Sequence, residues 1–248
     1  MDGTDKSTLL LEIVSKKKTN LCFSADLTKC QDVLDIVDKV GPYICLLKTH
    51  VDILTDFDDN FITAIKKLAE AHCFMIFEDR KFADLGNTVK KQFSEGIYKI
   101  SHWADFINAH IIPGDGIISG LESVAKDQSL ILIAQMSAAG NLCTSEYQQQ
   151  AVRMAKENPK FVCGFICTER MTQDKRFLNF VPGVHLMESG DSFGQQYTTP
   201  EQAVSQGADI IIVGRGIYNA KDPIKAAVQY RDASFKPYEE HLLKKGFS

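Results

Sequence analysis

The sequence predicts an α/β protein of the (β/α)8 TIM-barrel class, folded as a single domain over residues 1–248. Eight short apolar runs recur at fairly even spacing, most of them near-continuously apolar, as strands covered on both faces must be. Amphipathic segments of helical period separate the runs, the pattern of βα units feeding a parallel sheet. Eight such units in 248 residues suit closure into a barrel, with an open doubly wound sheet as the architectural alternative.

A helical lead-in over 1–19 precedes the first run. The strands are expected at Leu21 to Leu27, Tyr43 to Thr49, Phe74 to Glu78, Asp105 to Ile111, Leu130 to Met136, Phe161 to Cys167, Asn179 to His185 and Asp209 to Val213. Crossover helices are expected at Gln31 to Lys39, Asp58 to His72, Thr88 to Tyr98, Ser145 to Lys156 and Pro200 to Gln206, and a C-terminal helical segment at 222–245. Asn87-Thr88 offers an N-cap behind Gly86, and Thr199-Pro200-Glu201 puts proline just inside a helix start with a carboxylate in its first turn.

Composition narrows the function classes. Apolar residues at 44% and charged residues at 24% describe a globular chain, and a net charge of -4 disfavours nucleic acid or an anionic membrane as the main partner. Any anionic substrate must therefore meet a local basic site. No run approaches the roughly 18 apolar residues of a membrane span, and Met1-Asp2-Gly3-Thr4-Asp5 lacks signal-peptide character, so the chain reads as cytoplasmic. Seven cysteines form no CxxC pair, and Cys22, Cys45, Cys163 and Cys167 sit in apolar runs as small reduced hydrophobes. The six histidines show no metal-ligand spacing.

The chemistry concentrates behind the third apolar run, where Asp79-Arg80-Lys81-Phe82-Ala83-Asp84 sets two carboxylates around one ammonium. Burying ion pairs costs about as much desolvation as their attraction returns, so such a cluster serves chemistry better than stability. Carboxylate neighbours favour a cationic lysine, an acid and not a nucleophile. Active sites of this barrel lie at the C-terminal strand ends. There the first strand carries Ser24-Ala25-Asp26, the second Lys48-Thr49-His50, the third Asp79 and Lys81 with Asp84 beyond, and the fifth Met136-Ser137. Taken singly, Asp26 or Ser137 could cap a turn, and Lys48 or Lys81 could be a solvated strand end. Together they form an alternating charge array around one mouth. The loops after strands seven and eight, Gly190 to Tyr197 and Gly214-Arg215-Gly216, supply donors and a guanidinium at the usual phosphate position. Lysines interleaved with Asp26, Asp79 and Asp84 would repel Mg²⁺, so no metal and no organic cofactor are expected.

The strings Asp79-Arg80-Lys81-Phe82-Ala83-Asp84-Leu85-Gly86-Asn87-Thr88, Leu21 to Asp26, Leu47 to Asp52 and Ile211 to Ile217 closely resemble the orotidine 5'-phosphate decarboxylase family, from about Asn20 onward. The resemblance is greatest to the eukaryotic form that occurs as the decarboxylase domain of uridine 5'-monophosphate synthase. It implies a homodimeric barrel with two shared active sites, free of metal and cofactor. It also implies conversion of orotidine 5'-phosphate to uridine 5'-monophosphate and CO2, the last step of de novo pyrimidine nucleotide synthesis, and a fused or associated orotate phosphoribosyltransferase. By resemblance, Lys81 donates the proton to C6, Asp79 sits beside the substrate carboxylate, and Asp84 and Thr88 reach the neighbouring subunit's site. Lys48 and Asp26 match the ribose-side charges, with Ser24 and His50 close by. Ser137 matches the pyrimidine-binding serine, Pro182 lies beneath the base, and Gln195, Tyr197, Gly214 and Arg215 match the phosphate grip. Differences fall at positions such as Gln135 and Asn141, which receive no role. Arg80, on the opposite face of a continuing strand, is expected in a structural ion pair. The rival readings are a metal-dependent sugar-phosphate decarboxylase or epimerase on the same barrel, and a catalytically idle binder of phosphate ligands.

Overall fold

The structure, a computed structural model, describes residues 5–186 and 196–244, with side chains through 240. Eight parallel strands pair in chain order, and the last returns to the first: β1 (Leu21–Ser24), β2 (Leu46–Thr49), β3 (Met75–Phe82), β4 (Phe106–His110), β5 (Ser129–Ile133), β6 (Val162–Ile166), β7 (Leu178–Val181) and β8 (Ile210–Val213). The barrel is closed, as its sequence spacing predicts. Helix α1 (Lys6–Lys17) precedes β1, and α2 (Cys30–Val40), α3 (Asp59–His72), α4 (Gly86–Ser94), α5 (Gly116–Glu122) and α6 (Ser145–Glu157) follow the first five strands. Helix α7 (Pro200–Ser205) leads into β8, and α8 (Arg215–Tyr218) and α9 (Pro223–Lys244) complete the described chain.

The near-continuous apolar strands serve two cores. Leu21, Phe23, Leu47, Ile76, Ile107, Leu130 and Leu132 face the helices. Their alternates Cys22, Leu46, Phe77, Phe106, Ile131 and Ile133 fill the barrel interior, closed by Leu10 and Val14 of α1 and by Tyr238 of α9. This two-residue alternation is the pleat of each strand. Cys22, Cys45, Cys163 and Cys167 are buried as expected, and all seven cysteines are free.

The predicted helix start at Thr199-Pro200-Glu201 acts as read, Thr199 and Gln202 forming a capping box around Pro200, and at α3 the Asp58 carboxylate accepts from the Phe61 N–H. Two expectations need correction. Asn87-Thr88 does not cap α4: the N-cap is Leu85, and both residues lie inside the first turn. The helix begins early because α4 and α5 touch through backbone, a Cβ on Gly120 coming within 2.8 Å of Gly86 Cα. Nor does every strand lead into a helix, since the β6–β7 connection is a loop. Several of its backbone donors are taken by side chains: Met171 N–H donates to Asn179 Oδ1, Asp174 N–H to Thr172 Oγ1 and Arg176 N–H to Asp174 Oδ1.

Helix α1 is fastened by a lysine at each end, Lys6 Nζ donating to Asp105 Oδ1 at 2.8 Å. Lys17 Nζ donates to the carbonyl oxygens of Gly41, Ile44 and His72 at 2.8, 2.5 and 2.6 Å, tying α1 to the chain ends that leave α2 and α3. Replacing Lys17 by methionine keeps the stem and removes a donor from three part-buried carbonyls, and should lower the unfolding free energy by about 3 kcal/mol. Urea unfolding followed by circular dichroism measures this; a midpoint equal to that of the wild type would show that the clamp is unimportant.

Candidate active site

The pleat that builds the interior core also builds the site. On β1 to β4 the interior positions Cys22, Leu46, Phe77 and Phe106 are apolar. Two residues further along the same strands stand Ser24, Lys48, Asp79 and Asn108, all buried. The polar ring is thus the next layer of the barrel, at the strand ends where this fold places its chemistry.

Asp79 is its hub. One carboxylate oxygen, Oδ2, accepts from Lys48 Nζ at 2.7 Å, and the other, Oδ1, accepts from Lys81 Nζ at 2.6 Å and from Asn108 Nδ2 at 2.7 Å. His50 Nε2 lies 3.2 Å from Oδ2 and 2.7 Å from Lys48 Nζ. Asp26 flanks Lys48 at 3.5 Å and accepts from the Ser24 hydroxyl at 2.6 Å. Burial alone would raise the Asp79 carboxyl, but Lys48, His50 and Lys81 hold it well below the usual carboxylate range. Burial likewise disfavours the Lys48 ammonium, yet the attraction of Asp79 and Asp26 raises its pKa. Against the same burial, Lys48 and the Ser24 hydroxyl lower Asp26. Asp79, Lys48 and Asp26 thus each favour the charged form.

Lys81 is presented by an irregular backbone. From Glu78 to Phe82, four steps on β3, the partner advances only from Ile107 to Ala109, two steps on β4. Within this bulge Lys81 has φ +51°. Of the other described non-glycine residues at positive φ, Lys18 and Cys73 close α1 and α3, where the left-handed conformation is an ordinary C-cap, and Lys99 precedes a short 3-10 turn at Ile100–His102. In a strand it costs about 1–2 kcal/mol. The Lys81 side chain is 36% exposed, against 8% for Lys48, so one cation faces the cavity and the other is enclosed.

A cavity of about 270 Å³ opens over this array, lined also by Ser137, Pro182, Tyr197, Gly214 and Arg215. Arg215 lies 5.7 Å from the Tyr197 ring centroid. Gly216 passes directly against the Tyr230 hydroxyl, leaving no room for a side chain. The apolar part of the lining includes Ile133, Ile166 and Ile212. The mouth therefore joins a fixed charge array to a guanidinium-bearing end across a partly apolar floor, a form that suits a planar ring carrying a phosphate.

Most sequence-predicted site residues meet here. Ser24, Asp26, Lys48, Asp79, Lys81, Ser137, Pro182, Tyr197, Gly214 and Arg215 line the cavity, and His50 touches its Lys48–Asp79 pair. Gln195 lies outside the described residues. Asp84 and Thr88 do not join: the Asp84 carboxylate accepts from the Leu85 N–H and Gln92 Nε2, and Thr88 is exposed on α4. The second carboxylate expected beside Lys81 is therefore absent from its own chain's array, and the ammonium flanked by two carboxylates is Lys48. Arg80 turns away as expected, 4.0 Å from Asp52 and over the Phe82 ring.

Three groups escape the sequence reading. Asn108 is one, and its signal is an amide inside the apolar run Phe106 to Ala109. Glu78 is another: fully buried on the outer face of β3, it accepts from the Thr49 hydroxyl at 2.7 Å and the Val51 N–H at 3.0 Å, fixing the β2 end that carries Lys48 and His50. Gln135 and Asn141 form the third. Gln135 Oε1 accepts from Thr168 and Gln135 Nε2 donates to Gln148, while Asn141 Nδ2 donates to the carbonyls of Met136 and Ala138 on either side of Ser137. They frame the loop that presents Ser137, whose carbonyl accepts from the Gln196 N–H.

A family model described as "Orotidine 5'-phosphate decarboxylase / HUMPS family" matches residues 19–230. The chain is 50% identical over 252 residues to an orotidine 5'-phosphate decarboxylase of Schizophyllum commune, covering 94% of this chain and 90% of that protein. It is 48% identical over 236 residues to the uridine 5'-monophosphate synthase of Bos taurus, covering 94% of this chain but 49% of the relative, so it spans about half of that protein's length. In fold it is similar to the orotidine 5'-phosphate decarboxylase of Pyrococcus horikoshii OT3, with a TM-score of 0.68 at 22% identity over 86% of this chain and 98% of that one.

Burial pushes Glu78 from its ordinary value of 4.5 up to about 8, against the hydrogen bonds from Thr49 and Val51. The folded protein thus binds this proton more tightly than the unfolded chain. The stabilisation is complete below pH 4.5 and is lost as pH rises through about 8. Glu78→Gln, which cannot ionise, should lose less melting temperature than the wild type between about pH 5 and about pH 8.5. Scanning calorimetry across that range decides it, and parallel curves would show that Glu78 ionises normally.

Proposed function

The chain belongs to the orotidine 5'-phosphate decarboxylase / HUMPS family, and we propose that it converts orotidine 5'-phosphate to uridine 5'-monophosphate and CO2 through a C6 carbanion held and protonated by Lys81. The reaction is that of its named decarboxylase relatives. The observation that carries the mechanism is the Lys48–Asp79–Lys81 array, in which one buried carboxylate fixes two ammoniums at the base of the cavity.

The C6–carboxylate bond breaks, its electron pair stays on C6 in the ring plane, and CO2 departs. That pair has no carbonyl to delocalise into, so it must be stabilised where it forms. An ammonium at about 4 Å supplies about 4 kcal/mol at an effective dielectric near 20, and it is already in place. A Lys81 N–H proton then passes to C6, leaving a neutral amine. Asp79, beside the substrate carboxylate, repels it until CO2 leaves. Ser137 reads the pyrimidine, and Pro182 lies beneath it. Asp26, Lys48, His50 and Ser24 serve the ribose side. Arg215, Gly214 and Tyr197 hold the phosphate, with Gln195 in the same grip, and binding energy from that remote end is available to the transition state. No metal or cofactor takes part in this scheme.

The position of Asp84 and Thr88 supports a homodimer with shared sites. Both lie away from their own cavity, beside Leu85, which is 70% exposed. In this arrangement Asp79 and Lys81 serve one site, and Asp84 and Thr88 the partner's. The half-length match to the bovine synthase supports an orotate phosphoribosyltransferase fused to or associated with the chain. Seven free thiols fit a cytoplasmic location, and no helix among the described residues is long and apolar enough to cross a membrane.

Recombinant protein should consume orotidine 5'-phosphate, with the accompanying loss of ultraviolet absorbance, equally well with and without EDTA. Lys81→Ala should lower kcat/KM by about 10⁴-fold or more while uridine 5'-monophosphate still binds; near-normal turnover would remove Lys81 from its role. Mixed Asp79→Ala and Asp84→Ala protomers should regain activity that neither variant has alone. Verified heterodimers with no recovery would mean that each site is built from one chain.

A further inference from the structure

We propose that Asn108 is a positioning residue for this reaction: its carboxamide holds the Lys81 backbone in the left-handed conformation and ties it to the carboxylate that receives the Lys81 ammonium. The inference rests on the reading of Lys81 as the proton donor. Three bonds form a closed circuit. Lys81 N–H donates to Asn108 Oδ1 at 2.7 Å, Asn108 Nδ2 donates to Asp79 Oδ1 at 2.7 Å, and Lys81 Nζ donates to the same Asp79 oxygen at 2.6 Å. Both ends of the lysine, backbone and ammonium, are thereby referred to one carboxylate.

The circuit answers a need created by the bulge. Glu78 pairs with Ile107 and Phe82 with Ala109, so the backbone ladder skips residues 79–81. The Lys81 N–H needs an acceptor there, and its unfavourable φ of +51° persists only where the surroundings over-determine it. Asn108, fully buried on the neighbouring strand, supplies that acceptor. The amide can point only one way, because the Lys81 N–H can only donate and the Asp79 carboxylate can only accept. Aspartate in this place would set a like charge against Asp79, and serine could not span both partners. Asparagine is the residue that offers an acceptor and a donor at this reach. A relaxed Lys81 backbone would swing the ammonium away from the site where charge develops, and a misplacement of about 1 Å is enough to cost about 10²-fold in rate.

The test is Asn108→Ala. Its kcat on orotidine 5'-phosphate should fall about 10²-fold, its Kd for uridine 5'-monophosphate should change less than about threefold, and its crystal structure should show Lys81 at negative φ with Nζ off Asp79. A kcat within about threefold of wild type, or a loss of kcat with Lys81 unmoved, overturns the proposal. Should the alanine variant fail to fold, Asn108→Asp serves. When protonated, its carboxyl presents the same acceptor and donor as the amide, so its activity should fall with rising pH relative to the wild type; parallel profiles overturn the proposal. Asp79 and Lys81 are its titratable partners, with Lys48 and His50 on the same carboxylate, and all are present in both proteins. Normal turnover by Lys81→Ala would reject the proton-donor reading. An impaired Lys81→Ala beside a normal Asn108→Ala would reject this inference alone.

Discussion

The site depends on the solvation of one carboxylate. Asp79 is removed from water, and its two oxygens are satisfied by two ammoniums and an amide, with a histidine in reach. Each donor is useful because the others are there. Lys48 is buried as a cation only because Asp79 and Asp26 face it, and Lys81 is drawn toward the floor of the cavity by the oxygen that Asn108 already orients. A buried network of this kind is favourable only when every member is satisfied, and its rigidity is then available to chemistry. The energy such a cluster fails to return as stability appears as preorganisation, with charges in position before the substrate arrives.

Strand β3 transmits that order to its neighbour from both faces. Asp79 reaches Lys48 inside the barrel, while the adjacent Glu78 reaches Thr49 and Val51 outside it. The end of β2 is held between them. The division between the cavity-facing array and its supporting exterior is thus a matter of residue parity along a single strand. The same parity stacks apolar and charged layers in one interior, so the scaffold beneath the site is the ordinary core of the barrel.

Those features that depend on pattern were legible in the sequence. Near-continuous apolar runs announced strands covered on both faces, and all eight are present within a few residues of their expected places. Charged residues directly behind those runs announced the mouth, and Asp26, Lys48, Asp79, Lys81 and Arg215 do converge there. What remained hidden depends on geometry that pattern does not encode. The cap expected at Asn87-Thr88 gave way to a helix–helix approach at Gly86 and Gly120 that involves two distant segments. Asp84 is five residues from Asp79 in sequence, yet the bulge and the start of α4 carry it elsewhere. Asn108 and Glu78 belong to no local motif, because their partners lie about 30 residues away on or beside adjacent strands. Gln135 and Asn141 carried no motif at all, being ties within a loop.

The unequal exposure of the two lysines bears on what must happen between turnovers. In the proposed scheme each cycle leaves Lys81 as a neutral amine, and a second substrate meets a disarmed site until that nitrogen is recharged. Lys48 is enclosed, with both of its carboxylate partners engaged, and is poorly placed to give up a proton. Lys81 is the more open of the two. In that scheme the hydrogen that ends on the pyrimidine would be drawn from bulk water through the open cavity, a one-proton relay that reloads whenever the mouth is vacated.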